Sequence, residues 1–298
     1  MIELLNKCEL CPHKCNVNRL KNKLGFCRAN DKVKIALASL HYFEEPCISG
    51  KNGSGTIFFS NCNMKCVYCQ NFKISQCDFG KEITIEHLAE IFLKQQQKGA
   101  NNINLVSPTI YVPQIIEAIK IAKSNGLKLK IIYNSSGYDT VETIKLLNGY
   151  IDIYLPDFKY SDDILALKYS KISNYLENAK SSIKEMYNQV GNPIFDDNGI
   201  IQKGLIVRHM ILPNNIFNSL NVLNELNDLL GNKIYISIMA QYFPTYLAKD
   251  IKEINRKVTK NELQTIENFM NYLKFENGYI QELGEHEEEY VPIFDLSE

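Results

Sequence analysis

From about residue 54 onward, short runs rich in Ile, Val, Leu, Phe and Tyr alternate with amphipathic stretches of helical period. The strand candidates cover residues 56–60, 102–106, 130–133, 151–155, 205–212 and 234–239. Most of them lack strict apolar–polar alternation, the pattern of strands covered on both faces. Between them lie helices with readable ends. Leu88, Ile91 and Phe92 share a face after Thr84, whose hydroxyl suits an N-cap. Pro113 fits the first turn of the next helix, which stops at Asn125-Gly126. Asp139-Thr140-Val141-Glu142 reads as a capping box, followed by Ile144 and Leu147 and a stop at Asn148-Gly149. A helical stretch over 173–190 ends at Gly191, and Leu220, Leu223, Leu226 and Leu230 recur at helical spacing before Gly231. A second capping box, Thr259 to Glu262, opens a helix carrying Leu263, Ile266, Phe269, Met270 and Leu273. Six strand–helix units predict an α/β fold with a parallel sheet, either open and doubly wound or a partial barrel.

The first 50 residues break this pattern. They are short, Cys-rich and carry one β-like run at 32–37, so they read as a small metal-stapled cap. The chain has 298 residues, 45% hydrophobic and 22% charged, which excludes a disordered polymer and allows a sizeable core. Net charge is −1, so no basic field recommends nucleic acid or an anionic membrane, and no basic aromatic stretch does either. No run of 18 apolar residues appears, nor any signal-like apolar stretch near residue 1, which predicts a cytoplasmic protein with no membrane partner. The run Glu285–Glu289, broken by His286, reads as a solvated acidic tail over 285–298.

Nine cysteines in such a chain favour metal over disulfides. All nine lie within the first 77 residues. Cys62-Asn-Met-Lys-Cys66-Val-Tyr-Cys69 places three thiols in one loop directly after a strand. Thiolates select zinc or iron–sulfur over harder cations, and structural zinc needs four protein ligands. Three cysteines on a [4Fe–4S] cube leave one iron open to a cofactor or substrate. Polar residues gather after successive strands: Ser107-Pro108-Thr109, Asn134-Ser135-Ser136-Gly137, Asp157-Phe158-Lys159, Arg208-His209 and Gln241-Tyr242. In such folds the site lies beyond the carboxyl ends of the strands.

The C-x3-C-x2-C spacing, with Tyr68 before the third Cys, resembles the radical S-adenosylmethionine superfamily. That resemblance implies a partial parallel (β/α)6 barrel over 51–284, with the Cys-rich cap at 1–50. It also implies a [4Fe–4S] cluster on Cys62, Cys66 and Cys69 that cleaves S-adenosylmethionine reductively to a 5′-deoxyadenosyl radical. Beyond this motif, the chain is similar to relatives of pyruvate formate-lyase activating enzyme that carry an N-terminal cysteine block. Glu44-Glu45-Pro46, Gly53-Ser54-Gly55-Thr56, Cys69-Gln70-Asn71 and residues 102–108, 154–160, 185–191, 208–213 and 239–244 carry that likeness.

The resemblance implies substrate-side roles for Lys159 and Arg208. It implies cofactor contacts from Tyr68, Ser107, Thr109, Asn134, Ser135, Asp157 and Arg208. A lysine at a strand end and an arginine in a structural ion pair are the plainer readings of those two cations, and His209 reads equally as a core histidine. The family's Gly-Gly-Glu after strand two is absent; Val106-Ser107-Pro108-Thr109 stands there, so the ammonium of the cofactor needs other acceptors, with Ser107, Thr109 and Asn134 as candidates.

Cys8-x2-Cys11-x3-Cys15-x11-Cys27 forms a second four-thiol set, suited to zinc or an auxiliary iron–sulfur centre, with iron–sulfur preferred. His13 and Cys47 are substitute ligands, and Cys77 reads as incidental. Partners implied are an electron donor such as flavodoxin or ferredoxin, and a protein substrate, a glycyl radical enzyme. The alternatives are modification of another protein, peptide or small molecule with help from the N-terminal centre, and a non-catalytic metal-binding module.

Overall fold

The computed structural model describes residues 1–284 and 291–298, so the Glu285–Glu289 run lies outside the described residues. The strands are β1 (Val33–His41), β2 (Ser54–Phe59), β3 (Lys81–Ile83), β4 (Asn102–Val106), β5 (Lys130–Ser135), β6 (Ile153–Pro156), β7 (Ile194–Phe195), β8 (Ile201–Met210), β9 (Tyr235–Met239) and β10 (Gly278–Ile280). They form one sheet in the order β10-β9-β8-β6-β5-β4-β2-β1-β3, with β7 beside β8. From β2 to β10 the neighbours along this path are parallel. All six strands read from the sequence are present, and β10 adds a seventh parallel one.

The helices are α1 (Pro46–Ser49), α2 (Phe72–Ser75), α3 (Ile85–Gln97), α4 (Val112–Ser124), α5 (Val141–Leu146), α6 (Asp163–Ser170), α7 (Tyr175–Val190), α8 (Ile216–Leu230) and α9 (Lys260–Tyr272). Alternate residues of the central strands enter different clusters. Ile131 and Tyr133 pack with the helices, whereas Ile132 joins Ile153, Leu155 and Ile206 on the other side. Both faces are therefore covered, which explains the unalternating strand sequences. On α4, Ile115, Ile116 and Ile119 are fully buried, each contributing about 1.5–3 kcal/mol of hydrophobic stabilisation.

Helix ends follow side-chain chemistry. Thr84 caps α3 through the His87 N–H, and Thr259 and Glu262 form the reciprocal box that starts α9. The first capping box is corrected: Thr140 alone caps α5, through the Thr143 N–H, because the Asp139 carboxylate is engaged elsewhere. The short helix α6 was not read from the sequence; Asp162 caps it and Lys171, in the left-handed region, ends it.

The cap expected at 1–50 is not a body apart. β1 pairs antiparallel with β2 from Ile35↔Phe59 to His41↔Ser54, and β3 pairs with β1, so the N-terminal segment extends the main sheet. The cysteine-rich stretch before β1 carries no strand. The end of the chain is also held: Leu296 N–H donates to Ala36 O, Ala38 N–H donates to Ser297 O, and Phe294 packs on Phe58. Residues 291–298 are thus docked on β1 rather than solvated as a tail. Among the described residues, no helix is long and apolar enough to cross a membrane.

Candidate active site

A cavity of about 450 Å³ lies at the carboxyl ends of the parallel strands. Cys62, Cys66 and Cys69, on the loop after β2, all line it. This loop is pinned by its backbone: Asn61 N–H donates to Ile74 O, Lys65 N–H to Ser170 O, and Val67 N–H to Tyr169 O. Each sulfur has a partner. Met64 N–H lies 3.4 Å from Cys62 Sγ, Ser170 Oγ donates to Cys66 Sγ at 3.0 Å, and Ser75 Oγ sits 3.2 Å from Cys69 Sγ.

Tyr68 is buried, and its hydroxyl meets Tyr160 at 2.6 Å; Tyr160 in turn meets Ser170, so a hydroxyl chain runs to Cys66. Burial pushes Cys62 up to about 12 and Cys69 up to about 11, and raises Cys66 as well. These thiols must shed protons to become ligands.

Deeper in the same cavity lies a network of charge. Arg208 Nε donates to Asp157 Oδ1 at 2.9 Å, Nη1 to Glu44 Oε2 at 3.2 Å, and Nη2 to Asn134 Oδ1 at 2.6 Å. Lys159 Nζ donates to Asp157 Oδ2 at 2.6 Å, and Asn104 Nδ2 to Glu44 Oε1 at 2.9 Å. Burial opposes ionisation of Asp157, but Arg208 and Lys159 outweigh it and hold the carboxyl below its usual range. Glu44 and Glu45 go the other way. Burial raises both, with Arg208 only partly offsetting it. Glu45 Oε2 is buried and has no hydrogen-bond partner among the described residues.

The sequence-based candidates largely converge. Tyr68, Ser107, Asn134, Ser135, Asp157, Lys159 and Arg208 all line the cavity. Thr109 does not. It is buried, and its hydroxyl donates to Asp139 Oδ1, a carboxylate that also accepts from Tyr133 and Ser135. Ser107 reaches the cavity with a left-handed backbone, φ +60°, while Thr109 begins the next helical turn and points into the core. His209 is a core histidine, with Nδ1 against Phe158 O and Nε2 against Ser219 Oγ.

Cys8, Cys11, Cys15 and Cys27 line a second, much smaller cavity. His13 and Cys47 lie outside it, and Cys77 is exposed. Glu44, Glu45, Asn104, Tyr160 and Ser170 were not assigned roles from the sequence. The quoted Glu44-Glu45-Pro46 stretch was the only hint of the two acids.

Comparison with known proteins agrees with this geometry. The Radical SAM superfamily model matches residues 56–195. An uncharacterized protein of Methanocaldococcus jannaschii is 31% identical over 273 residues, covering 88% of this chain and 73% of the relative. The pyruvate formate-lyase-activating enzyme of Clostridium pasteurianum is 26% identical over 121 residues, covering 39% of this chain and 50% of that enzyme. Among solved structures, Streptococcus suis SuiB bound to precursor peptide SuiA superposes with a TM-score of 0.51 at 10% identity, over 76% of this chain. The chain spans about half the length of SuiB, 47%, and the likeness is one of fold. The three-cysteine loop after the first parallel strand, the open parallel sheet and the matched family region together mean that the chain belongs to the radical SAM superfamily.

Proposed function

We propose that this radical SAM enzyme abstracts hydrogen from a protein backbone, with a glycyl radical enzyme as the substrate. The observation that carries the reading is one cavity holding the three-thiol loop together with the Asp157–Lys159–Arg208 network. The partial likeness to a pyruvate formate-lyase-activating enzyme supports the choice of substrate.

The thiols fit the family's cluster: three sulfurs from one loop reach the cavity, each with a hydrogen-bond partner that suits negative charge. Cys62, Cys66 and Cys69 would hold a [4Fe–4S] cluster, leaving one iron for S-adenosylmethionine. When bound and reduced, the pair supplies a 5′-deoxyadenosyl radical, the agent of hydrogen abstraction.

The protein's own part is binding and shielding. Glu45 Oε2, buried and without a partner among the described residues, offers an acceptor for the ammonium group in place of the missing Gly-Gly-Glu. Glu44 is less free, because Arg208 and Asn104 already occupy it. Asp157, held ionised by Lys159 and Arg208, and the carboxyl groups of Glu44 and Glu45 put three acceptors beside two cations in this cavity. Tyr68, Met210 and Met239 supply apolar wall to the cavity. The reducing electron would come from a flavodoxin- or ferredoxin-class donor.

Anaerobically reconstituted, reduced protein should be mixed with S-adenosylmethionine and glycyl radical enzymes of the same organism. Formation of 5′-deoxyadenosine together with the glycyl doublet in electron paramagnetic resonance supports the reading. Formation of 5′-deoxyadenosine with no doublet on any such enzyme overturns it. That outcome directs attention to another protein, peptide or small molecule, a reading the second cysteine cluster favours.

A further inference from the structure

We infer that Ser170 sets the reduction potential of the cluster that Cys62, Cys66 and Cys69 would hold, by donating a hydrogen bond to Cys66 at the head of a hydroxyl relay through Tyr160 and Tyr68. This role depends on the cluster site and not on the choice of substrate. Ser170 Oγ stands 3.0 Å from Cys66 Sγ, Tyr160 Oη 2.6 Å from Ser170 Oγ, and Tyr68 Oη 2.6 Å from Tyr160 Oη. Ser170 and Tyr160 are fully buried, and Tyr68 is 4% exposed.

Proton counting fixes the direction of every link. A cysteine sulfur bound to iron has no proton and can only accept. Ser170 has one hydroxyl proton, which goes to that sulfur. Its oxygen then accepts from Tyr160, whose single proton is thereby used, and Tyr160 accepts from Tyr68. Among the described residues, neither tyrosine hydroxyl has another partner to draw its proton away. Three O–H dipoles therefore align toward Cys66, and each polarises the next.

The main chain holds Ser170 at that sulfur. It is the last residue of α6, which Lys171 ends in the left-handed region. Lys65 N–H donates to Ser170 O and Val67 N–H to Tyr169 O, so the amides on either side of Cys66 lock onto the end of the helix. A helical serine ordinarily returns its proton to the carbonyl one turn back; here the hydroxyl instead reaches a sulfur 104 residues away in sequence. The ring of Tyr68 is fixed by edge contacts with Tyr169 and Tyr242, at 6.5 and 6.0 Å between centroids.

Ser170 and Tyr160 lie outside the cavity lining and act through Cys66, so they are positioning residues. Their effect is electrostatic. One electron from a flavodoxin- or ferredoxin-class donor adds one negative charge to the cluster and its sulfurs. A hydrogen-bond donor aimed at a ligand sulfur stabilises that added charge, which raises the potential. No proton leaves the relay, since each hydroxyl keeps its own. The other two sulfurs have the Met64 N–H and the Ser75 hydroxyl beside them, with no second hydroxyl behind either among the described residues.

The test is a potentiometric titration of the anaerobically reconstituted whole chain, followed by electron paramagnetic resonance. The radical-forming cluster is assigned as the signal that changes when S-adenosylmethionine is added. Ser170→Ala should lower the reduced-to-oxidised ratio at a fixed potential about tenfold, or about 59 mV for one electron, with iron content unchanged. Tyr160→Phe removes one dipole of the relay and should lower the ratio about twofold. The double variant Ser170→Ala/Tyr160→Phe should match Ser170→Ala alone, because without Ser170 the tyrosines have no route to the sulfur. A wild-type potential in iron-loaded Ser170→Ala, or a further twofold fall in the double variant, overturns the inference. If Ser170→Ala takes up no cluster, Tyr160→Phe decides: a lowered potential supports the relay, and an unchanged one overturns it. A wild-type chain that takes up no cluster overturns the cluster site and this role together.

Discussion

Arg208 faces Asp157 across two neighbouring parallel strands, and its Nε donates to Asp157 Oδ1 at 2.9 Å. The pair is buried, and each guanidinium nitrogen that bonds has a different partner: Asp157, Glu44 and Asn134. Asp157→Asn leaves two cations with one main anion fewer. Breaking a buried ion pair in this way costs about 3–5 kcal/mol, so a clear fall in melting temperature is expected. Arg208→Lys keeps the charge and loses the fork, and calorimetric titration should show S-adenosylmethionine binding at least tenfold weaker, about 1.4 kcal/mol.

The two acids between β1 and α1 should behave differently. Glu45→Gln removes the unpartnered carboxylate oxygen and should weaken S-adenosylmethionine binding about tenfold, or 1.4 kcal/mol. Glu44→Gln breaks bonds to Arg208 and should act mainly on stability. Titration and melting of both variants side by side check this; equal weakening of binding would contradict it.

Cys62→Ala should remove about four irons per chain and all S-adenosylmethionine cleavage while far-ultraviolet circular dichroism stays unchanged. Because burial raises these thiols well above neutrality, cluster assembly releases protons. Iron uptake should therefore weaken as pH falls, which equilibrium reconstitution across a pH series would reveal.

His209 supplies an acid-labile element of stability. Burial lowers its pKa to about 4, against an ordinary value of 6.5, despite the Phe158 carbonyl acting in the other direction. The neutral form is favoured in the fold, so its stability is fully present above pH 6.5 and is lost as pH falls toward 4. The loss amounts to roughly 3 kcal/mol. His209→Gln should flatten the stability profile between pH 6.5 and 4, measured by urea denaturation.

Thr259→Ala should destabilise the fold by about 1 kcal/mol, because it removes the hydroxyl that accepts the Glu262 N–H at the start of α9. S-adenosylmethionine binding should not change, since this cap lies outside the cavity lining.

What the sequence by itself determined is local. The six parallel strands, the caps at Thr84 and Thr259 and the three-thiol loop depend on residues within one turn, one strand or one loop of each other. Their periods and spacings are therefore legible without knowing what lies across the sheet. The tertiary structure decided the rest. Glu44 meets Asn104 and Arg208, 60 and 164 residues away, only because β1 adds antiparallel to β2 and the sheet order brings β4 and β8 round one cavity. The spacing from Asp139 to Glu142 is a local capping signal, whereas the actual partners of Asp139, Thr109, Tyr133 and Ser135, converge from separate elements. Ser107 and Thr109 were indistinguishable in composition, and a left-handed backbone turn sends one to the cavity and the other to the core. Short-range spacing survives in sequence, while long-range convergence depends on strand order and register, which a single strand's pattern does not encode.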